Sequence, residues 1–179
     1  RLGIRNTPAG GWEVLRVDPD TLISICAVTS EEECSPVRFT PDGKSFYLET
    51  NKGKLDKSQL ELFTLATGKT KLAEKDPLNE VDFGSAWFSD VTNELLATFY
   101  VGDRVRVYPK QKQFARDWER MKKALPKGEV SITGSTEDEN VWMVVLSSDV
   151  DPGSRYLYDR TTGKAEFLYR SRPNLPSND

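Results

Sequence analysis

The sequence predicts an all-β fold, namely a partial β-propeller of about three four-stranded blades with a leading hairpin and one helical insertion near residues 111–125. Three observations favour it. A strand–turn–strand pattern occurs twice in the 179 residues, most apolar stretches have the length of a strand, and turn residues separate them.

The repeated pattern is centred on a Thr-Gly-Lys turn. The first copy, residues 67–69, lies between the short stretches SQLELFTL and KTKLAE, and the second, residues 162–164, lies between SRYLYDR and KAEFLYR. In both copies the side chains of the flanking stretches alternate in character, and strand-forming residues are frequent. Each copy therefore predicts a β-hairpin in which glycine supplies the positive φ of the turn. The two copies are 95 residues apart.

A second feature sets the repeat length. Thr40 precedes a Pro-Asp-Gly turn and an apolar strand, and at an offset of 95 residues Ser135 precedes a polar turn and another apolar strand. Ser89 falls between them, 49 residues after Thr40 and 46 before Ser135. The offset therefore spans two units of about 47 residues, which is typical of propeller blades. The predicted segments are an incomplete leading blade at 1–36, blades at 37–80, 81–133 and 134–172, and a tail at 173–179.

Two other architectures fit these observations less well. A β-sandwich explains the short strands and frequent turns but not the repeat. A helical solenoid of similar period would need amphipathic helices throughout, and most of the chain lacks them.

The third unit contains the helical insertion, at residues 110–129. Its apolar residues recur four, three and four positions apart, which predicts one face of an α-helix that ends at Pro126 and Gly128. The apolar face comprises Phe114, Trp118, Met121 and Leu125, and the opposite face carries Lys112, Arg116, Glu119, Arg120 and Lys123. We interpret the charged face as the solvated side of an insertion packed on the blade, with a basic contact surface as the alternative.

The composition excludes several kinds of chemistry for this stretch of sequence. It has no histidine, so a Ser-His-Asp triad, a Cys-His pair and a histidine-ligated metal are all excluded. It also lacks a G-x-S-x-G motif and a phosphate-binding glycine loop. We therefore predict no catalytic, cofactor-binding or metal-ligating residue. The net charge of −3 and the absence of a long apolar run give no reason to expect nucleic acid or a membrane as partner.

The two cysteines leave an alternative open. Cys26 and Cys34 could form a disulfide in an oxidising compartment. Because Cys26 lies in the apolar run LISICAV, we favour a buried free thiol. No signal peptide opens the chain, and both a cytoplasmic and a periplasmic location stay open.

Three features carry a family resemblance. The opening RLGIRNTPAGGWEVL, the helical interruption and the segment DPGSRYLYDRTTGKAEFLYRSRPNL resemble the propeller of prolyl-oligopeptidase-family serine peptidases, in particular the acylaminoacyl-peptidase or dipeptidyl-aminopeptidase-like branch. The resemblance covers essentially the whole chain and is most specific at residues 151–175, where an aromatic strand, the D-R-T-T-G-K turn and S-R-P-x-L follow in order.

The resemblance implies a function for the chain. In that family a propeller precedes an α/β-hydrolase domain, which carries the Ser, Asp and His, and limits its access to small peptides. The expected function is therefore that of a non-catalytic propeller segment of a serine peptidase, with the hydrolase domain and peptide substrates in the channel as partners. The alternative is a non-enzymatic propeller used as a protein-interaction scaffold. Because the chain begins with Arg1 and stops at Asp179, we expect a piece of a longer protein.

Three further expectations follow from the resemblance and the fold. Some family members bind the substrate amino terminus with two glutamates, but the context of Glu31, Glu32 and Glu33 predicts a surface loop. The acidic spacing at 148–154 is faintly like a calcium loop but lacks a later glutamate, so we expect a strand connection. An incomplete ring would leave apolar blade faces uncovered, which favours self-association through the terminal blades.

Overall fold

The computed structural model describes residues 1–149 and 153–174, and within them it has fourteen β-strands and one α-helix. The first sheet contains β1 (Leu2–Asn6), β2 (Trp12–Val17) and β3 (Leu22–Val28). The second contains β4 (Cys34–Phe39), β5 (Ser45–Thr50), β6 (Gln59–Thr64) and β7 (Lys69–Glu74). The third contains β8 (Ser85–Phe88), β9 (Leu95–Val101) and β10 (Val105–Pro109), and α1 (Lys112–Ala124) follows it. The fourth contains β11 (Glu129–Ser135), β12 (Val141–Ser147), β13 (Ser154–Asp159) and β14 (Lys164–Arg170).

The sheets confirm the predicted fold class. Each consists of consecutive strands, in the orders β1-β2-β3, β4-β5-β6-β7, β10-β9-β8 and β11-β12-β13-β14. Four small sheets of three or four strands are consistent with a partial propeller. The leading segment has one strand more than the expected hairpin, because the apolar run that contains Cys26 pairs with β2 as β3. Within the described residues, no helix is long and apolar enough to cross a membrane.

The chain forms two compact units. The first contains Arg1–Ser85 and Thr98–Arg106, and the second contains Ala86–Ala97 and Val107–Asp179. The third sheet contributes residues to both units. The core of the first unit lies between the first two sheets and comprises Val14, Cys26, Val28, Cys34, Phe46, Leu48 and Phe63.

An aromatic cluster forms the core of the second unit. Trp142 of β12 lies 5.5 Å from Trp87 and 5.4 Å from Phe114 between ring centroids, and Tyr158 lies 5.9 Å from Trp142. Phe114 belongs to the predicted apolar face of α1, and all four residues of that face are buried. The helical insertion and its inward face are therefore confirmed, because a period of 3.6 residues brings these side chains to one side.

The two Thr-Gly-Lys segments form equivalent hairpins. In β6–β7 Leu60 pairs with Glu74 and a bulge follows, and in β13–β14 Arg155 pairs with Tyr169 before a bulge at the matching place. Both turn glycines have positive φ, 66° at Gly68 and 72° at Gly163. The predicted equivalence at an offset of 95 residues is confirmed for these hairpins.

The alignment of Thr40 with Ser135 is wrong by one residue. The Thr40 hydroxyl accepts a hydrogen bond from the Ser45 N–H and donates to Asp42, and the hydroxyl of Thr136, not that of Ser135, makes the same two kinds of contact, with Val141 and Asp138. The offset here is 96 residues. By strand pairing, the connection from β5 to β6 is one residue longer than that from β12 to β13, which restores the offset of 95.

The expectation of a free thiol is also wrong, because Cys26 and Cys34 form a disulfide. The apolar character of the run around Cys26 correctly indicates burial, since this residue is 8% exposed. It does not show that the fold places the first residue of β4 opposite β3, with 6.5 Å between the two Cα atoms.

Candidate functional site

A buried ion pair holds α1 on the fourth sheet. Asp117 lies on the inward side of the helix, and its side chain is only 4% exposed. The Arg160 guanidinium donates from Nε and Nη2 to Asp117 Oδ2, at 2.9 and 2.8 Å. Both hydrogen bonds end on one carboxylate oxygen, and because donor and acceptor are charged they are stronger than neutral hydrogen bonds. We call Asp117, Arg120 and Arg160 the helix anchor.

The rest of the helix anchor contacts the Thr-Gly-Lys turn. Arg160 Nη1 donates to the carbonyl of Glu139 at 2.8 Å, and its Cζ lies 4.8 Å from the ring centroid of Trp142. Arg120 donates to the carbonyls of Arg160 and Thr162. At least one residue of the charged face of α1, Arg120, therefore attaches the helix to the sheet. It donates to carbonyl groups that accept no hydrogen bond within the turn itself.

Two features favour glycine at position 163. Its φ is 72°, a conformation that side chains rarely adopt. A Cβ atom there would also force the Arg120 guanidinium to move from its present place. The turn that revealed the repeat in the sequence is thus also the place where α1 is fastened.

Glu139 joins two equivalent turns within the second unit. One carboxylate oxygen accepts from the Ser89 hydroxyl at 3.0 Å, and the other accepts from the Asp90 N–H at 2.6 Å. Glu139 has φ 56°, where the corresponding turn of the second sheet has Gly43 with φ 67°. A non-glycine residue in this region is strained, and the hydrogen bonds to the neighbouring turn offset that strain.

In the first unit, Asp76 organises the segment that follows β7. Burial raises the pKa of its carboxyl, but hydrogen bonds from the N–H groups of Glu80, Val81 and Leu78, together with the Arg106 cation, lower the pKa overall. Arg106 bridges Asp76 and Glu80, at 2.8 and 2.6 Å. The Asp76 side chain is 1% exposed, so this pairing stabilises the carboxylate in a buried place.

The three glutamates singled out by the sequence lie in the connection from β3 to β4. Glu31 is exposed, and Glu33 accepts from the Ser35 hydroxyl. Glu32 accepts hydrogen bonds from the N–H groups of Gly53 and Thr29, which lower the pKa of its carboxyl. Glu32 thus closes its loop against the β5–β6 connection, whereas the Glu33 carboxylate contacts Ser35 of β4.

Negative charge gathers at one position of the second sheet. The pKa of Glu49 is raised, first by burial and then by the neighbouring carboxylates of Glu33 and Asp82. Neither Glu49 nor Asp82 was singled out by sequence reasoning, because they lie 33 residues apart and only the fold brings them together.

The described parts of both units do not bring together a set of residues with the geometry of a metal site: no group of three or more His, Cys, Asp or Glu is so arranged there. The acidic segment 148–154 lies partly outside the described residues, since positions 150–152 are not among them. The carboxylates of four residues are engaged in ion pairs or hydrogen bonds that hold turns, the helix or the strand connection: Asp117, Asp76, Glu139 and Glu32.

Sequence reasoning also missed the helix anchor, although a signal for it was present. In the 95-residue alignment of the two hairpins Arg160 replaces Leu65, so one copy of an otherwise similar turn carries a cation. Asp117 interrupts the apolar face of the predicted helix between Phe114 and Trp118. Two unlike charges at positions expected to be apolar indicate a buried pair.

Comparison with known proteins gives a consistent picture. No family model matches the chain. It is similar to dipeptidyl aminopeptidase BIII of Pseudoxanthomonas mexicana, with 28% identity over 176 residues, which is 96% of this chain and 25% of that protein.

Solved structures show the same fold. A prolyl endopeptidase superposes with a TM-score of 0.54 and 18% identity over 89% of this chain and 23% of its own. A puromycin-hydrolysing peptidase of Mycobacterium tuberculosis gives a TM-score of 0.53 and 16% identity over 99% of this chain and 28% of its own. Prolyl oligopeptidase B from Galerina marginata gives a TM-score of 0.54 and 16% identity over 94% of this chain and 24% of its own.

These observations first define the class of protein: an all-β chain of small consecutive sheets, consistent with a partial propeller. More particularly, the chain is a propeller-like segment that resembles the propeller domains of prolyl oligopeptidases and dipeptidyl aminopeptidases. The chain spans about a quarter of the length of these relatives.

Proposed function

We propose that this chain is a non-catalytic propeller segment of a serine peptidase, which caps an α/β-hydrolase domain and restricts its substrates to small peptides. The observation that carries the proposal is the similarity to a dipeptidyl aminopeptidase over 96% of the chain. In this proposal each of the four sheets corresponds to one blade, complete or incomplete, and α1 is an insertion in the third.

Selection of substrates by size agrees with the chemistry of this chain. A wall that excludes folded proteins acts by steric repulsion, so it needs neither a nucleophile nor a general base. It needs segments that keep their shape. The helix anchor and the Glu139 contacts supply such rigidity within the second unit, because charge-assisted hydrogen bonds fix the geometry of the groups they join.

The test compares the complete peptidase with a version that lacks this segment. The measurement is kcat/KM for a dipeptide amide and for an unstructured peptide of about 30 residues. We expect the ratio of the two values to move toward the longer peptide when the segment is absent. The control is Arg5→Met, which alters an exposed ion pair and should leave the ratio unchanged. An unchanged ratio in the shortened protein would refute the proposal.

The second candidate function is a scaffold that binds protein, and one observation favours it. One face of the fourth sheet exposes apolar side chains: Met143 is 41% exposed, Leu168 36% and Tyr169 52%. Val145 and Leu157 lie on the same face, since the first is two residues from Met143 on β12 and the second pairs with Met143. We propose that this face binds a second copy of the chain.

The size of this face sets the expected strength of self-association. If each copy covers on the order of 400 Å² of apolar surface, about 800 Å² would be buried in total, less than the roughly 1,200 Å² of stable interfaces. We therefore expect weak, concentration-dependent association, visible by light scattering at high micromolar concentration. Met143→Lys should abolish it, whereas a monomer at all concentrations would refute it. The scaffold would be favoured by two results together: the peptidase keeps its selectivity for peptide length when this segment is removed, and the chain associates with itself.

A further inference from the structure

The Cys26–Cys34 disulfide lies at the joint between the first two sheets. Cys26 belongs to β3 in the first sheet and Cys34 is the first residue of β4 in the second, eight residues later. The bridge therefore links two sheets that otherwise meet through side chains. Two hydrogen bonds accompany it, from Trp12 Nε1 to the Cys34 carbonyl at 3.2 Å and from Arg16 Nη1 to the Leu65 carbonyl at 3.3 Å.

The last strand of the first sheet, β3, pairs with β2 along its length, but its outer half contributes little to the core. In β3 the residues Leu22 and Ile23 are 57% and 42% exposed, and only Cys26 and Val28 are buried. Cys26 and Val28 are thus the two buried side chains of β3, and the partly buried Ile25 packs against the same core. Loss of the bridge would remove this cross-link and leave the direct chain connection from β3 to β4 together with the apolar contacts, to which the outer half of β3 adds little.

The two sulfur-bearing residues differ in accessibility. Cys34 is fully buried, at 0% exposure, whereas Cys26 is 8% exposed and lines an open groove together with Ile25, Leu48 and Thr70. Thiol–disulfide exchange requires a thiolate to approach one sulfur directly. Of the two cysteines only Cys26 lines this groove, so approach is expected from the side of Cys26.

We propose that the Cys26–Cys34 disulfide is a redox latch, which fixes the first sheet on the second when oxidised and releases it when a small thiol attacks Cys26 through the groove. In the first step the thiolate of a small thiol bonds to Cys26 Sγ, the S–S bond breaks, and Cys34 leaves as a thiolate that takes up a proton. A second thiol then attacks the sulfur of the small thiol. The products are the Cys26 thiol and the disulfide of the reagent, so two electrons pass from two thiols to the bridge.

Closing the latch reverses these steps with a small-molecule disulfide as oxidant. The latched form therefore belongs to a compartment that keeps thiols oxidised. Because the joint is inside the first unit, opening should loosen β1–β3 and leave the second unit unchanged.

The first experiment maps where a small thiol attacks. The folded chain is incubated with reduced glutathione, quenched with acid and digested, and the mixed disulfide is located by mass spectrometry. We expect glutathione on Cys26, with Cys34 as the free thiol, in at least a tenfold excess over the opposite arrangement. The proposal would be overturned if glutathione were found mainly on Cys34. It would also be overturned if the protein, kept under oxidising conditions, contained two free thiols before glutathione was added.

The second experiment measures what the latch holds. Amide hydrogen exchange is compared before and after reduction with dithiothreitol, with β12 and β13 as the internal control. We expect exchange in β1–β3 to accelerate at least tenfold, with no change in the control strands. The double variant Cys26→Ser, Cys34→Ser should exchange like the reduced protein and not respond to dithiothreitol. Equal exchange in β1–β3 before and after reduction of the natural chain would contradict the latch, whether or not the variant folds.

Discussion

Breaking the ion pair between Asp117 and Arg160 should destabilise the second unit strongly. Arg160→Met removes the cation but keeps most of the side-chain volume, so the Asp117 carboxylate, 4% exposed, loses its charge partner. An uncompensated buried charge costs about 3–5 kcal/mol. The same change removes the hydrogen bond to the Glu139 carbonyl and the contact with the Trp142 ring. We expect a loss of about 4 kcal/mol in the free energy of unfolding.

The assay is urea unfolding followed by tryptophan fluorescence, since Trp118 and Trp142 lie in the cluster beside the pair. A double-mutant cycle isolates the interaction. Asp117→Asn removes the charge and leaves Arg160 with its carbonyl contact, so we expect about 2–3 kcal/mol. The double variant should lose less than the sum of the two single losses, by at least about 1.5 kcal/mol, because no buried charge is left without a partner.

The matched control is Arg5→Met. Its guanidinium also contacts a carboxylate, that of Glu13, at 2.6 Å, but the Arg5 side chain is 59% exposed. Exposed pairs contribute about 0.2–1 kcal/mol, because water screens the charges. The reasoning would be refuted if Arg160→Met cost no more than Arg5→Met, or if the losses in the cycle were additive.

Three further predictions concern the same unit. Glu139→Gly should lower the free energy of unfolding by about 1–2 kcal/mol. The two charge-assisted hydrogen bonds that are lost outweigh the backbone strain of about 1–2 kcal/mol that glycine relieves. A variant more stable than the natural chain in urea unfolding would contradict this. Hydrogen bonds from the Thr161 hydroxyl and the Thr162 N–H lower the pKa of Asp159 from 3.8 to about 2. The stability that ionised Asp159 contributes is therefore present above pH 4 and is lost as the pH falls toward 2. In circular-dichroism unfolding curves, Asp159→Asn should be less stable than the natural chain at about pH 6 and equally stable near pH 2. Tyr158→Phe should unfold at an equal or higher urea concentration, because the described residues give its buried hydroxyl no hydrogen-bond partner; a loss above 1 kcal/mol would argue against it.

Local patterns predicted much of this fold because they depend on short-range geometry. The Thr-Gly-Lys turns predicted both hairpins, since the φ of glycine and strand alternation act within a few residues. The spacing from Phe114 to Leu125 predicted the inward face of α1, since the helical period fixes which side chains share a side.

Tertiary distances decided the rest. The bridge between Cys26 and Cys34 needs two strands of different sheets to come within reach, and no pattern inside either strand states that distance. The shift from Ser135 to Thr136 arises because the connection from β5 to β6 is one residue longer than that from β12 to β13, while the pairing within each of these two strand pairs stays in register.

The sequence by itself determined the repeated strands and turns, the helical interruption and the absence of histidine chemistry in this stretch, because these are properties of neighbouring residues and of composition. Only the tertiary structure decided that Asp117 meets Arg160, that Glu139 reaches Ser89, and that the cysteines are joined. Such contacts join residues 8 to 50 positions apart, and their existence depends on distances in space that the packed sheets create.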